Sequence, residues 1–118
     1  MSQLLQEIES LRQPNKELND FIFDHPELGN EEFQAHELLT NLLEKEGFTV
    51  DREVSGLKTA FRAVYHVNGG GPKIGLLCEY DALEGLGHAC GHNLQGPSIC
   101  TAAIALKRTL QAPCTLVV

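Results

Sequence analysis

No apolar run in these 118 residues comes near the roughly 18 that a membrane-spanning helix needs, so the sequence argues against an integral membrane helix. It does not open with a basic stretch followed by an apolar core, the pattern of a secretory leader. Positive charge is scarce: 9 Lys and Arg face 16 Asp and Glu, for a formal charge of −7. A surface so biased repels phosphate backbones, which argues against nucleic acid as a partner. Paired cysteine motifs are missing as well. The cysteines at 78, 90, 100 and 114 fall in separate candidate elements and read as reduced thiols rather than a disulfide frame, so a cytoplasmic setting is the expectation. Internal repeats, low-complexity tracts and linkers are absent. What remains is a chain with 42% apolar residues, long enough for one modest globular core over 1–118.

Leu4, Leu5, Ile8 and Leu11 mark one helical face. Pro14 breaks or restarts that helix, and Asn15 is a fair N-cap for a second run through Leu18, Phe21 and Ile22, giving helix over 2–24. Asp24-His25-Pro26 ends it, because a residue before proline is pushed out of the αR region. Asn30 is placed to cap a helix over 31–46, and Gly47 stops that helix as its C′ residue. His25, Glu27 and Glu32 read as structural. Strands are expected at 48–54, 59–67, 73–78 and 114–118, with a last helix over 98–110 after Gly96-Pro97-Ser98. The segment 73–78 is apolar without alternation and reads as a buried strand. Asn68-Gly69-Gly70-Gly71-Pro72 reads as a hairpin loop, since no Lys-Ser/Thr follows the glycines and they open no helix. Such alternation of strand and helix patterns favours an α/β layering around one mixed sheet.

Between the strand at 73–78 and the last helix lies Glu79-Tyr80-Asp81-Ala82-Leu83-Glu84-Gly85-Leu86-Gly87-His88-Ala89-Cys90-Gly91-His92-Asn93. Its place after the carboxyl end of a strand is where open α/β sheets bind ligands. Cys90 and His92 are two apart, so in an extended loop they project to the same side. A thiolate and an imidazole converging in that way suit Zn²⁺ or another transition metal. Asp81 and Glu79 offer hard oxygen ligands, or acceptors that orient a ligating imidazole. The opposing reading is a loop whose His and Cys satisfy local hydrogen bonds. A structural zinc domain is weaker still, because only one Cys-x-His pair is present.

This loop resembles the metal-site segment of the aminoacylase/carboxypeptidase family of metallo-amidohydrolases. The branch it is most similar to holds p-aminobenzoyl-glutamate hydrolases, hippurate and auxin-conjugate amidohydrolases, and dipeptidases of the β-alanyl-lysine type. Further matches follow the family's order: His25-Pro26-Glu27-Leu28-Gly29 with Glu32, Gly47-Phe48-Thr49-Val50, and Gly56-Leu57-Lys58-Thr59-Ala60-Phe61. Together they span nearly the whole chain.

The resemblance implies an α/β fold, part of a three-layer αβα catalytic domain of zinc-exopeptidase type, with 1–118 as its N-terminal part. It implies a two-metal hydrolase, with Zn or Mn, that cleaves the amide bond of a dipeptide or N-acyl amino acid. Cys90 and His92 take the family's metal-ligand positions, with Asp81, Glu79 and His88 as support. Glu79 stands where many relatives carry His or Asp, and Glu84 where the motif often has Pro. The family's general-base Glu, its distal ligands and its dimerisation domain are expected beyond Val118, which leaves no catalytic residue within this chain and makes it an inactive fragment of a homo-oligomeric enzyme. A sheet edge with unpaired backbone groups is expected at 116–118, a template for association. The alternative is a non-catalytic module of the same descent that binds metal or a partner.

Overall fold

The computed structural model describes residues 2–118. Ser2 accepts a hydrogen bond from the Leu5 N–H and so opens α1 (Gln3–Ser10). The break to α2 (Arg12–Asp24) falls at Leu11, not at Pro14 as expected. Pro14 is tolerated because it lies in the first turn of α2, where an N–H has no partner within the helix anyway. Asn15 does not cap; its amide donates to Thr101 Oγ1 at 2.7 Å. The third helix, α3 (Phe33–Lys45), starts two residues later than expected, and its cap comes from Glu27. That carboxylate accepts from the Gln34 N–H at 3.0 Å and the Ala35 N–H at 2.9 Å. Asn30 instead turns the chain at φ 69.

After Gly47, the expected strands are shorter. They are β1 (Thr49–Asp51), β2 (Arg62–Val67), β3 (Lys73–Gly75) and β4 (Cys114–Val117), in the order β1-β2-β4-β3. β1 and β2, and β2 and β4, pair antiparallel; β3 and β4 pair parallel. Register sets the faces: Ala63, Tyr65 and Val67 lie opposite Val118, Leu116 and Cys114. These residues close one core with Leu39 and Leu43 of α3 and with residues of α4 (His92–Thr109). Intervening residues such as Arg62, His66 and Thr115 form the polar face of the sheet, where His66 Nδ1 lies 3.0 Å from Thr115 Oγ1.

Four expectations are corrected here. β4 lies between β2 and β3 with Leu116 wholly buried, so 116–118 is the middle of the sheet and not its edge. The edge on that side is β3, whose residues are exposed, and Leu77 just beyond is 84% exposed. The buried strand expected at 73–78 is therefore an exposed one. A short apolar run cannot report which neighbours it will have, and here the later β4 takes the central place. For the same reason 68–72 is not a hairpin loop. It wraps the start of β4, and a Cβ on Gly71 would lie 1.8 Å from the Pro113 carbonyl oxygen, so only glycine fits. Lastly, α4 begins at His92 rather than at 98. Pro97 lies inside it; Gly96 removes the clash of the proline ring with a preceding Cβ, while the hydrogen bond to the Asn93 carbonyl is forgone and that carbonyl crowded.

The strand β3, the helix α4 and the strand β4 thus form a parallel crossover unit. Residues 76–91 link the carboxyl end of β3 to the start of α4, the place where α/β sheets bind ligands. No helix of the described residues is long and apolar enough to cross a membrane.

Candidate metal centre

Three separate tethers shape the linking loop. The Ala82 N–H donates to the Glu27 carbonyl at 2.7 Å, which pins the loop's middle to the turn before α3. Leu83 and Gly87 exchange backbone hydrogen bonds at 2.9 and 3.0 Å, closing a tight turn with Glu84 exposed at its tip. Gln95 supplies the third. Its amide accepts from the Glu79 N–H and donates to the Leu77 carbonyl at 2.9 Å, taking the place of a neighbouring strand for residues 77–79. Gly96 allows that approach, since a Cβ there would lie 3.1 Å from the Glu79 carbonyl oxygen.

The result is a carboxylate on either side of one imidazole. His92, the first residue of α4, has Nδ1 at 2.8 Å from Asp81 Oδ1 and Nε2 at 3.0 Å from Glu79 Oε2. A carboxylate only accepts, so with its proton on Nδ1 toward Asp81 the ring would leave Nε2, beside Glu79, as the nitrogen available to a metal. The Glu79 carboxylate beside Nε2 favours a cation at this spot. Metal–nitrogen and metal–oxygen bonds of about 2.0–2.2 Å bring two neighbouring ligand atoms to roughly 3 Å of each other. The spacing of Nε2 and Oε2 therefore suits two ligands of one ion.

The other expected residues are placed differently. Cys90 lies exposed in the turn just before Gly91, which takes φ 80 to start the helix. The extended geometry expected for the Cys90–His92 pair is thus replaced by a turn leading into a helix. Among the described residues, no three His, Cys, Asp or Glu side chains converge closely enough to form a complete metal cage. His88 is buried, 8% exposed, and among the described residues neither ring nitrogen has a well-formed hydrogen bond, the Ile22 backbone being the polar group that bears on the ring. Burial, with His92 adding to it, holds its pKa below the ordinary imidazole value. A buried imidazole so poorly hydrogen-bonded, within a loop of ligand-type residues, marks this loop as a place of polar chemistry.

His25 Nδ1–H donates to the Phe21 carbonyl, 2.8 Å away, and the ring stacks on that of Phe21. Glu32 Oε1 accepts from the Glu31 N–H at 2.8 Å and from Thr59. Both are structural, as expected, and Glu27 joins them through its cap on α3. Gln95 is the residue that sequence reasoning missed. It is three positions after His92 and so lies on the same helical face; placing the start of the helix at 98 hid it.

No family model matches the chain. Curated relatives do. It is 43% identical over 121 aligned positions to a p-aminobenzoyl-glutamate hydrolase subunit of Escherichia coli, covering 88% of this chain and 25% of that protein. It is 42% identical over 103 to the Xaa-Arg dipeptidase of Mus musculus, covering 80% and 24%. The chain therefore spans about a quarter of the length of these relatives. Among solved structures, a dinuclear metal-binding peptidase of the M20 family from Bacillus subtilis superposes with a TM-score of 0.79 at 24% identity, over 92% of this chain and 35% of that one. That likeness establishes the fold, and the sequence kinship extends the resemblance of the loop to most of the chain.

Proposed function

We propose, the chain being a relative of these metallo-amidohydrolases and dipeptidases, that its loop from Glu79 to His92 holds a divalent metal ion for hydrolysis of an amide bond. The substrate is a small molecule, a dipeptide or an N-acyl amino acid. The observation that carries this reading is the Asp81–His92–Glu79 arrangement at the carboxyl end of β3. His92 Nε2 and the Cys90 thiolate are the ligands, Asp81 fixes the imidazole tautomer, and Glu79 stands beside Nε2 where its charge offsets that of the cation. His88 lines the loop from beneath. Zn²⁺ or Mn²⁺ in such a place polarises a carbonyl and lowers the pKa of a bound water.

Most carboxylates around the loop are engaged. Asp81 and Glu79 face His92, Glu27 caps α3, and Glu32 is held by the Glu31 N–H and Thr59. In line with the kinship to these enzymes, the general base is assigned to a Glu outside these 118 residues. These residues on their own bind the ion and leave the amide intact. A homo-oligomer in the cytoplasm completes the reading.

Cobalt spectroscopy tests it. Co²⁺ added to the protein should give a thiolate-to-metal band that disappears in Cys90→Ser, and a hydroxamate analogue of a dipeptide should shift the remaining visible bands. Cobalt bands that ignore the hydroxamate would favour a metal-binding module without substrate chemistry. The absence of any thiolate band would remove Cys90 from the ligand set.

A further inference from the structure

We propose that Cys78 and Cys100 form a reversible redox site, a thiol pair that closes to a disulfide on reaction with a small disulfide such as oxidised glutathione. This inference does not depend on the metal reading. The two sulfurs lie 4.0 Å apart, one on the segment after β3 and the other on α4. A disulfide needs about 2.05 Å, so the gap to close is roughly 2 Å. The backbone around Cys78 is held outside the sheet ladder, by side-chain tethers that can yield to such a shift. Leu76 donates the last backbone hydrogen bond to β4, at 2.8 Å to Val117, and beyond it residues 77–79 are held by the Gln95 side chain rather than by a strand. Cys78 Sγ otherwise has only a long contact of 3.7 Å to the Gly96 carbonyl.

Access to the pair is one-sided. Cys100 is fully buried, whereas Cys78 is half-buried and lines a cavity of about 310 Å³ together with Thr59, Phe61, Glu79 and Asp81. The hydrogen bond with Cys78, followed by burial, pushes the Cys100 thiol well above its ordinary pKa. Cys78 is therefore the thiol that meets the oxidant. Its thiolate attacks one sulfur of the small disulfide, forms a mixed disulfide and releases one thiol. Cys100, giving up its proton, then attacks the Cys78 sulfur, forms the internal bond and releases the second thiol. The protein loses two hydrogens and the small disulfide gains them. Closure ties the segment that carries Glu79 to the helix that carries His92.

Equilibrating the protein in glutathione buffers of increasing oxidation, quenching in acid, alkylating and mapping the peptides reads this directly. The expected result is a Cys78–Cys100 linked peptide whose yield does not vary with protein concentration and which dithiothreitol reverses. Cys78→Ser should leave Cys100 fully alkylatable, and Cys100→Ala should leave glutathione on Cys78. Two results overturn the proposal: a wild-type protein that stops at glutathionylated Cys78 with Cys100 still alkylatable, or oxidation of Cys100 in Cys78→Ser. Because the wild-type map decides the matter, a variant that folds poorly does not blunt the test.

Discussion

Along α4, the stretch from Cys100 to Ile104 seals against Leu39, Leu43 and Leu116, residues with no exposed surface. The stretch from His92 to Gln95 meets the loop through a few polar contacts: His92 to two carboxylates, Gln95 to two backbone groups, and Asn93 to Asn19. One helix thus serves two purposes. Its middle is fixed by close packing, in which each residue touches many others and every lost methylene is felt. Its start is fixed by single hydrogen bonds, each of which can be removed alone. Stability should reside in the first region and ligand chemistry in the second, so substitutions in the two should separate cleanly.

The largest effect is expected in the packed region. Leu39→Ala should destabilise the fold by about 2–5 kcal/mol, read as a shift of the urea midpoint, because a fully buried side chain is lost and its cavity closes only partly. A smaller shift, below about 1 kcal/mol, would mean that the core is looser than its burial indicates. Next comes the tether behind the loop. Glu27→Ala removes the cap of α3 and should cost about 0.5–2 kcal/mol. The loop's bond to the Glu27 carbonyl is a backbone one and survives the change, so helix content by circular dichroism should fall while the loop stays protected in hydrogen exchange.

Tyr80 joins the two regions, since its hydroxyl donates to the Thr59 carbonyl from within the loop. Burial raises its pKa well above that of a free phenol. The unfolded chain therefore ionises first, so the stabilisation is complete below about pH 10 and is lost as pH rises beyond it. Tyr80→Phe should cost about 1 kcal/mol at neutral pH and flatten the alkaline limb of the stability profile. An unchanged alkaline limb would place the effect on another group. The smallest effect on stability is expected at His88. Replacing this ring by Leu should leave stability unchanged or raise it by about 1 kcal/mol, because two buried nitrogens without a well-formed hydrogen bond among the described residues disappear. Substantial destabilisation would show that the ring has a partner in solution.

The same contrast explains what could be read from the residues alone. The stop at Gly47, the apolar face of α3 and the α/β class follow from local patterns and are seen, whereas on α1 Leu5 and Ile8 stay exposed. The place of β4 in the middle of the sheet was hidden, because strand order depends on pairing between residues far apart in sequence. At the site, the types were legible and the geometry was not. Asp81, Glu79 and His92 come together, whereas Cys90 lies exposed in the turn before Gly91, which starts a helix at once. Gln95 stayed hidden because Gly96-Pro97 looks like a helix boundary, and only the structure shows the helix running through it.

The central claim is that the start of α4 and its loop hold a divalent ion independently of the core, and calorimetric titration of Zn²⁺ tests it most directly. Wild-type protein should bind, His92→Ala should not, and Asp81→Asn should bind about 10–100-fold more weakly, since it loses only the group that orients the imidazole. All three should share one urea midpoint to within about 1 kcal/mol, as expected for partly exposed positions outside the core. Superimposable isotherms for wild type and His92→Ala would contradict the account.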